Sequence, residues 1–411
     1  AVTICPDSIV TQTSTLAERV CKHPFFFKGG TFMPKTKTNS LFTVVLEDSE
    51  AVPREVWLKE RKKAICGSDY PAIVGLSGFK TPVDIFEDKI DPNKISETVT
   101  LETKFRFDIG HALEPVILET IARAIGATPI RDKRMVESSV YPYMRVDIDG
   151  LFQMKEDCVV CGTKLKKGEI VLFEGKTTSY SKYMEYREAA DAAHIAQSKF
   201  GMLVRDLKHC IIGYSCGGNN LSSDLTYHIC ELTEEDKETI PVVVRNFWEE
   251  HVLKKVPPTE VLGPYASEHK KALLRYNWKD GQKSGAVLQF PLYVADLIRQ
   301  SLQVRDELSQ LNALVKSKEA ERDSIELPLV GLLGDQYQSG VLESIYASYT
   351  AKINTTERKT LNTENMARLK EEHPDIYQML IDEGYITTSV SRSLSVRSKA
   401  KKAKTKRKRG A

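Results

Sequence analysis

Apolar residues recur three or four positions apart in the segment DIGHALEPVILETIARAIGA. Leu113, Ile117 and Ile121 would share one face of a helix, and Gly126 is suited to end that helix. Shorter helical signals precede this segment in REVWLKERKKA and in SDYPAIVGL, where Ser68 stands at the position of an N-cap. The pattern therefore predicts a long helix that ends at Gly126, preceded by two short helices.

Strand signals follow this helix. The stretch YMRVDIDGLFQM alternates, EIVLFEGKTT is a short apolar run with β-branched residues, and a Cys-x-x-Cys loop separates the two. An amphipathic helix is predicted across residues 180–205, then strands HCIIGYS and LTYHICEL, and then a helix that ends before Pro257. This order predicts an α/β or α+β domain in which helices flank a central mixed β-sheet.

Pattern and composition divide the chain into four segments. Residues 1–50 have no sustained period and are interpreted as an irregular arm. Residues 51–258 form the predicted core, with an insertion at 155–168 that carries the Cys-x-x-Cys, and 259–396 form a mainly helical extension. Residues 397–411 are predicted to be a disordered basic tail.

A heptad stripe marks the extension. From Val294, apolar or small residues recur alternately three and four positions apart as far as Val315. The helix could pack on its own chain through this stripe, or the stripe could form an intermolecular coiled coil, and the sequence leaves both alternatives open.

Composition bounds the class of protein. The chain has 411 residues, of which 41% are hydrophobic, enough for one large core or two modest domains. It has no run of about eighteen apolar residues and no apolar leader after a charged start, so we expect a soluble, intracellular protein that has no contact with a membrane. The eight cysteines are sparse for this length, which favours thiols or a metal site over a disulfide framework.

The positive charge is concentrated at one end of the sequence. The net charge is +3, and the last fifteen residues hold nine Lys or Arg and no acid, so the remainder carries 3 − 9 = −6. Contact with nucleic acid would therefore use a local groove or this tail. The tail is either a solvated end, a segment that binds phosphates without specificity, or a nuclear address in a eukaryotic host.

Candidate chemistry lies in the two predicted strands around the Cys-x-x-Cys loop. Side chains two apart on a strand share a face, so Glu174 and Lys176 should reach one site. Asp149, followed by Gly150, can bring a second carboxylate to the same place from the partner strand. Two carboxylates on rigid strands suit a hard divalent cation, and an adjacent lysine can stabilise charge that develops on a phosphate. The combination favours metal-assisted phosphodiester hydrolysis, although a solvated ion pair and a simple turn would have the same sequence.

A third carboxylate, Glu114, lies on the long predicted helix. It follows Gly110 in GHALEP and could lean over the edge of the sheet towards Glu174. Asp147 stands two residues before Asp149 and could be mistaken for it; we favour Asp149 because a glycine follows it.

The insertion CVVCGTKLKKGE resembles one knuckle of a zinc ribbon. Cys158 and Cys161 would be one pair of ligands, and Cys210 and Cys216 could supply the other pair if the following hairpin folds back. The alternative is a metal-free surface loop with two thiols.

Four ordered motifs carry a resemblance to a known family. WLKERKKAICGSDYPAIVGLSGFKTPVDIFEDK, GHALEP, VDIDGLF with VLFEGKTT, and HIAQSKFGMLV are similar to successive motifs of the YqaJ-like viral recombinase, or lambda exonuclease, family. The resemblance runs from about Val52 to Pro258, and the later stretch beginning GLLGD resembles the extension of phage members.

The resemblance implies a restriction-endonuclease-like core of the PD-(D/E)xK type. It implies an exonuclease that digests linear double-stranded DNA from 5′ ends with Mg²⁺, or Mn²⁺, and leaves a 3′ strand for a single-strand annealing protein. It further suggests a homotrimer, in the host cytoplasm for a phage or in the nucleus for a eukaryotic virus. The rival interpretations are an endonuclease or structure-specific nuclease with the same core, and a non-catalytic DNA-binding or assembly module.

The resemblance also assigns residues by position. Asp149, Glu174 and Glu114 would hold the metal ion, Lys176 would be the catalytic lysine, and Gln197 would border the active site. Arg61 and Ser68 match the pair that binds the 5′ phosphate. Two departures stand out: Ile148 replaces the usual proline, and the interval from Asp149 to Glu174 is longer than in the family because it holds the cysteine loop.

Overall fold

The computed structural model describes residues 41–91, 100–218, 220–261, 263–278, 287–343, 348–353, 363–384 and 386. Most of the predicted arm, residues 1–40, and the whole basic tail, 397–411, lie outside these residues. The chain forms two compact units, one up to residue 281 and one from residue 282 onward. The first unit thus extends past the predicted end of the core at Pro258.

The described residues form short strands and longer helices. The strands are β1 (Phe42–Leu46), β2 (Ile65–Cys66), β3 (Ala127–Ile130), β4 (Met135–Ser138), β5 (Met144–Val146), β6 (Gly150–Met154), β7 (Cys158–Val160), β8 (Thr163–Leu165), β9 (Ile170–Thr177), β10 (His209–Ser215), β11 (Leu225–Glu231), β12 (Ser339–Glu343) and β13 (Ser348–Lys352). The helices are α1 (Arg54–Lys62), α2 (Tyr70–Ile73), α3 (Pro82–Ile90), α4 (Leu101–Ile125), α5 (Tyr180–Glu188), α6 (Ala192–Arg205), α7 (Leu221–Asp224), α8 (Glu234–Asn246), which continues as a π-helix (Phe247–Leu253), α9 (Ala266–Asn277), α10 (Val294–Leu333), α11 (Thr363–Glu372) and α12 (Pro374–Asp382).

A five-stranded mixed sheet occupies the centre of the first unit, in the order β11-β10-β9-β6-β3. Strand β9 runs parallel to β10, and the other neighbouring pairs are antiparallel. Gly150 lies opposite Phe173, which confirms the predicted pairing of β6 with β9. A second sheet has the order β1-β4-β5-β2, and β7 pairs with β8 to form the hairpin that carries the cysteine insertion.

Helices cover both faces of the central sheet. Leu172 packs in one apolar cluster with Phe200 of α6, whereas Phe173 and Ile211 pack in a second cluster with Ile117 of α4. Burying each side chain of this size stabilises the fold by about 1.5–3 kcal/mol. The predicted class, a mixed β-sheet flanked by helices, is therefore confirmed.

Helix α4 lies very close to β10. A Cβ atom at Gly213 would lie only 2.6 Å from Cδ1 of Ile121 and 2.9 Å from Cγ2 of Ile117, so a larger residue there would push the helix away. Because Glu114 is three residues before Ile117 on the same helix, this approach brings its carboxylate to the end of β9. As predicted, α4 ends at Gly126, whose left-handed backbone has a φ of 70°.

Two local predictions were wrong. The single helix predicted across 180–205 is divided into α5 and α6, because the side chain of Asp191 accepts a hydrogen bond from the backbone N–H of Ala193 and begins a new helix there. Ser68 does not cap a helix: α2 begins one residue later, after Asp69, and has only four residues.

The second unit contains α10, the β12–β13 hairpin, α11 and α12. The predicted helical extension is thus mainly helical, with an added hairpin. Along α10 the stripe residues Leu297, Leu308 and Leu311 are each more than half exposed, so the described residues do not bury the heptad stripe. Over the described ranges no helix combines the length and the apolar composition needed to cross a bilayer.

Candidate functional site

The end of β9 presents a carboxylate and an ammonium side by side. Glu174 and Lys176 lie two residues apart on the strand, and Nζ of Lys176 is 2.5 Å from Oε1 of Glu174. Glu174 is only 5% exposed, whereas the side chain of Lys176 is 23% exposed, so the carboxylate is shielded from water and the ammonium is partly open to it. The alternation of the strand placed both side chains on one face, as the sequence predicted.

Helix α6 adds an amide to this pair. Nε2 of Gln197 donates to Oε1 of Glu174 at 2.6 Å, and Nζ of Lys176 lies 3.4 Å from Oε1 of Gln197. One amide group thus contacts both charged side chains. Gln197 fixes the orientation of the Glu174 carboxylate, because its donor and its acceptor are both used within the site.

Asp149 lies just before β6 and approaches the same place from the neighbouring strand. Its Oδ2 accepts a hydrogen bond from the backbone N–H of Gly175 at 2.8 Å. Burial, together with the nearby carboxylates of Glu174 and Glu114, raises the pKa of Asp149 well above its ordinary value. The three acidic groups therefore interact electrostatically at the end of β9.

Glu114 reaches this group from α4, on the other side of the strand. A Cβ atom at Gly175 would lie 3.4 Å from Cγ of Glu114 and 3.1 Å from Cζ of Phe173. Because Gly175 has no side chain, Glu114 can approach the strand at this point. Burial first, and then the negative charge of Glu174, raise the pKa of Glu114 to about 7. The structure thus brings all four of the predicted catalytic side chains together.

Asp147 belongs to a different arrangement from Asp149. Its Oδ2 accepts the indole N–H of Trp57 at 2.6 Å, and its Oδ1 accepts the hydroxyl of Ser49 at 3.0 Å. In the sequence, only the glycine after Asp149 distinguished the two aspartates. In the structure they have different partners.

Arg61 and Ser68 lie beside the acidic group. Nη2 of Arg61 donates to Oγ of Ser68 at 2.5 Å, and both residues line one small pocket together with Glu174 and Gln197. The guanidinium also lies over the ring of Trp57, with Cζ 4.7 Å from the ring centroid. An arginine and a hydroxyl at the end of a pocket suit the oxygens of a phosphate.

The donor set fits a hard divalent cation by its chemistry. Asp149, Glu174 and Glu114 offer carboxylate oxygens. Burial first, and then the neighbouring carboxylates, raise the pKa of Asp149 and of Glu114, and the charge of a bound cation would offset both effects. Over the described ranges, however, no three His, Cys, Asp or Glu side chains are arranged as a ready metal cage. Glu174 is held by Lys176 and Gln197 instead, and Mg²⁺ needs only one or two protein carboxylates because water and phosphate supply the rest.

The predicted zinc ligands do not come together in the described residues. Cys158 and Cys161 pack against the cluster on the α4 side of the sheet, whereas Cys210 and Cys216 pack against the cluster on the α6 side. Cys161 takes part in a disulfide bond, which removes its thiolate. The predicted four-cysteine site is therefore wrong for the described residues. Side chains alternate along β10, and this alternation points Cys210 away from the insertion.

Sequence reasoning missed two contributors near the site. Trp57 is an aromatic residue within the charged helix REVWLKERK. A large aromatic side chain among charged residues was the signal that could have identified it. His194, one turn before Gln197 on α6, lies 3.1 Å by its Nδ1 from the hydroxyl of Tyr214. Burial and the neighbouring Lys176 lower the pKa of His194 to about 4.

Comparisons with known proteins find similar sequences and structures. Residues 56–200, which include the seven predicted catalytic and DNA-binding residues, match the model of the YqaJ-like viral recombinase domain. The uncharacterized protein YqaJ of Bacillus subtilis (strain 168) is 23% identical over 346 residues, which cover 82% of this chain and 94% of that protein.

Two solved structures are also similar. An alkaline exonuclease (LHK-Exo) from Laribacter hongkongensis matches 54% of this chain and 99% of its own, with 12% identity and a TM-score of 0.39. A phage related exonuclease from Haemophilus somnus 129PT matches 47% of this chain and 96% of its own, with 11% identity and a TM-score of 0.30. The match to the YqaJ-like viral recombinase domain thus covers residues 56–200, the segment that holds the site.

Proposed function

We propose that this chain is a Mg²⁺-dependent exonuclease that digests the 5′-ended strand of linear double-stranded DNA and leaves a 3′ single strand. One observation carries the proposal: Arg61 and Ser68, which suit a phosphate, line the same pocket as Glu174, a member of the acidic group. A group that binds an end phosphate thus lies beside a group suited to phosphodiester hydrolysis. The match of residues 56–200 to the YqaJ-like viral recombinase domain supports a nuclease role.

The roles follow from the positions of the side chains. A divalent cation, Mg²⁺ or Mn²⁺, held by Asp149 and Glu174 with Glu114 beside them, would neutralise charge on the scissile phosphate and make its bound water more acidic. Lys176 places a fixed positive charge where negative charge develops on the phosphate. Gln197 keeps the Glu174 carboxylate in position through its 2.6 Å hydrogen bond. Glu114 would add a third carboxylate beside the cation, whose positive charge would offset the burial and the repulsion from Glu174 that raise the Glu114 pKa.

Binding of the 5′ phosphate would make the enzyme an exonuclease. Arginine presents a fork of N–H donors that matches phosphate oxygens, and the hydroxyl of Ser68 adds a further donor. Once a terminal phosphate occupies this pocket, the bond presented to the acidic group is one near the 5′ end. An internal segment of duplex offers no terminal phosphate and would not be positioned in this way.

The product and the assembly are part of the proposal. A 3′ single strand is a substrate for a single-strand annealing protein, which would be the partner in viral or phage recombination. A homotrimer that encloses the DNA would make digestion processive, and sedimentation of the purified chain in the presence and absence of duplex DNA tests this assembly.

Digestion of labelled DNA tests the activity. Linear duplex labelled at either the 5′ or the 3′ end, and closed circular duplex of the same sequence, are incubated with Mg²⁺, with Mn²⁺ or with a chelator. We expect early release of the 5′ label, late release of the 3′ label, an intact circle and no hydrolysis in chelator. Comparable digestion of the circle would instead indicate an endonuclease, and DNA binding without hydrolysis under all conditions would indicate a non-catalytic module.

A further inference from the structure

Asp147 lines the same pocket as Arg61 and Ser68, although a carboxylate would repel a phosphate. Both of its oxygens are already engaged by donors: Trp57 donates to Oδ2 at 2.6 Å and Ser49 donates to Oδ1 at 3.0 Å. These two hydrogen bonds hold the carboxylate against α1 and the segment that precedes it. Its position is therefore fixed by partners other than the acidic group at the end of β9.

Trp57 connects Asp147 to Arg61. The indole lies four residues before Arg61, so the two side chains share one face of α1. The guanidinium carbon lies 4.7 Å from the centroid of the indole, within the range of a cation–π contact, and Nη2 of the same guanidinium donates to Ser68 at 2.5 Å. Arg61 is thus held between an aromatic face and a hydroxyl.

We propose that Asp147 is a positioning residue for Arg61, acting through Trp57 to fix the plane of the guanidinium in the 5′-phosphate pocket. The inference rests on the proposed function, because it assigns a role within that pocket. An indole that is free to turn about its side-chain bonds would present a variable surface to Arg61. The hydrogen bond from its N–H to Asp147 removes that freedom, so the guanidinium meets the phosphate with less loss of conformational entropy.

Three variants separate this role from a structural one. Asp147→Ala removes both hydrogen bonds, and Trp57→Phe keeps an aromatic face but has no N–H to donate. Asp147→Asn keeps an oxygen that can accept the indole N–H, and serves as the conservative control. Values of kcat and KM are measured for each on linear duplexes that carry either a 5′ phosphate or a 5′ hydroxyl, and thermal unfolding is followed in parallel.

For Asp147→Ala and for Trp57→Phe we expect kcat/KM on 5′-phosphate ends to fall about tenfold, the scale of one hydrogen bond to a charged group. The decrease on 5′-hydroxyl ends is expected to be much smaller, and Asp147→Asn should retain most of the preference for the phosphate. The double variant Asp147→Ala with Trp57→Phe should lose no more preference than either single variant, because both act on the same interaction.

Three results would overturn the inference. A lower melting temperature with an unchanged preference for 5′-phosphate ends would show that Asp147 is only structural. An equal decrease of kcat on both ends would place it in the hydrolytic site instead. A wild-type enzyme that does not distinguish the two ends would overturn the proposed phosphate pocket as well, and this outcome is separable from the first two because it appears before any substitution is made.

Discussion

Lys176 and Glu174 form an ion pair of 2.5 Å at the end of β9, and the same carboxylate oxygen accepts the amide of Gln197. The ammonium is therefore held where it can reach a phosphate that approaches the acidic group. If it stabilises charge in the transition state, Lys176→Ala should lower kcat by at least about a hundredfold. Single-turnover digestion of linear duplex with a 5′ phosphate measures this effect.

Lys182→Ala is the matched control, since Lys182 is an exposed lysine on α5 that pairs with Glu185. It should digest DNA at the wild-type rate. For Lys176→Ala, the affinity for DNA ends, measured in the presence of a chelator, should change far less than kcat does. A Lys176→Ala enzyme of wild-type activity would exclude hydrolysis through this site.

Gln197 contacts both members of the ion pair, so its removal should disturb the position of the Glu174 carboxylate. We expect Gln197→Ala to lower kcat by roughly ten- to a hundredfold, the scale of a hydrogen bond to a charged group. Gln153, exposed on β6, offers the matched control Gln153→Ala, which should have no effect. Equal rates for the two variants would show that the amide does not orient Glu174.

A buried ion pair away from the site should make stability depend on pH. Burial alone would raise the pKa of Asp132, but hydrogen bonds from Arg134 and Arg205 outweigh it and hold the pKa below its ordinary value. As the pH falls below about 4, the unfolded chain takes up this proton before the folded chain does, and the stabilisation is lost. It is fully present at neutral pH.

We therefore expect Asp132→Asn to lower the free energy of unfolding by about 3 kcal/mol at pH 7, the scale for breaking a buried pair. Urea unfolding at several pH values measures the difference from wild type, which should narrow in acid. The exposed Asp157, which pairs with Lys166, provides the control Asp157→Asn, with little change expected. If the difference in the free energy of unfolding between wild type and Asp132→Asn stayed constant into acid, the charge of Asp132 would not be the source of the stabilisation.

The separation of the cysteines makes a prediction about zinc. Because Cys158 and Cys210 pack on opposite faces of the central sheet, the purified protein should contain less than about a third of an equivalent of zinc, where a structural site would hold one. Atomic emission on protein purified without added metal measures this content. The four-cysteine site would be supported if the wild-type protein held one equivalent of zinc and if both Cys158→Ser and Cys210→Ser held none.

The basic tail makes a prediction about salt. If its nine Lys or Arg bind phosphates, deleting residues 397–411 should make the slope of log K against log salt shallower by about 0.9 for each phosphate that the tail had neutralised. Replacing the same nine residues by Gln keeps the length of the segment and should have the same effect. An unchanged slope in both variants would identify the tail as a solvated end.

The sequence predicted the features that depend on local geometry. The period of a strand places Glu174 and Lys176 on one face wherever that strand lies, and the pairing of β6 with β9 followed from two strand signals in succession. The end of α4 at Gly126 depended likewise on a glycine that can adopt a left-handed backbone.

The residues alone could not predict which distant groups meet. Family resemblance, and not the pattern of the chain, pointed to Gln197 and to the pairing of Arg61 with Ser68. The division of the predicted helix at Asp191 was not anticipated, and the sequence left open whether Cys158 and Cys210 meet.

Asp147 and Asp149 illustrate the reason. Two residues apart and chemically identical, they differ only in what packs beside them: Trp57 and Ser49 reach the first, and the amide of Gly175 reaches the second. Local sequence determines the direction in which each side chain of a strand or helix points. The partner that it meets is decided by the packing of elements far apart in the chain: the glycine after Asp149 favoured that residue in the sequence, but only this packing shows that Asp147 is bound by Trp57 and Ser49.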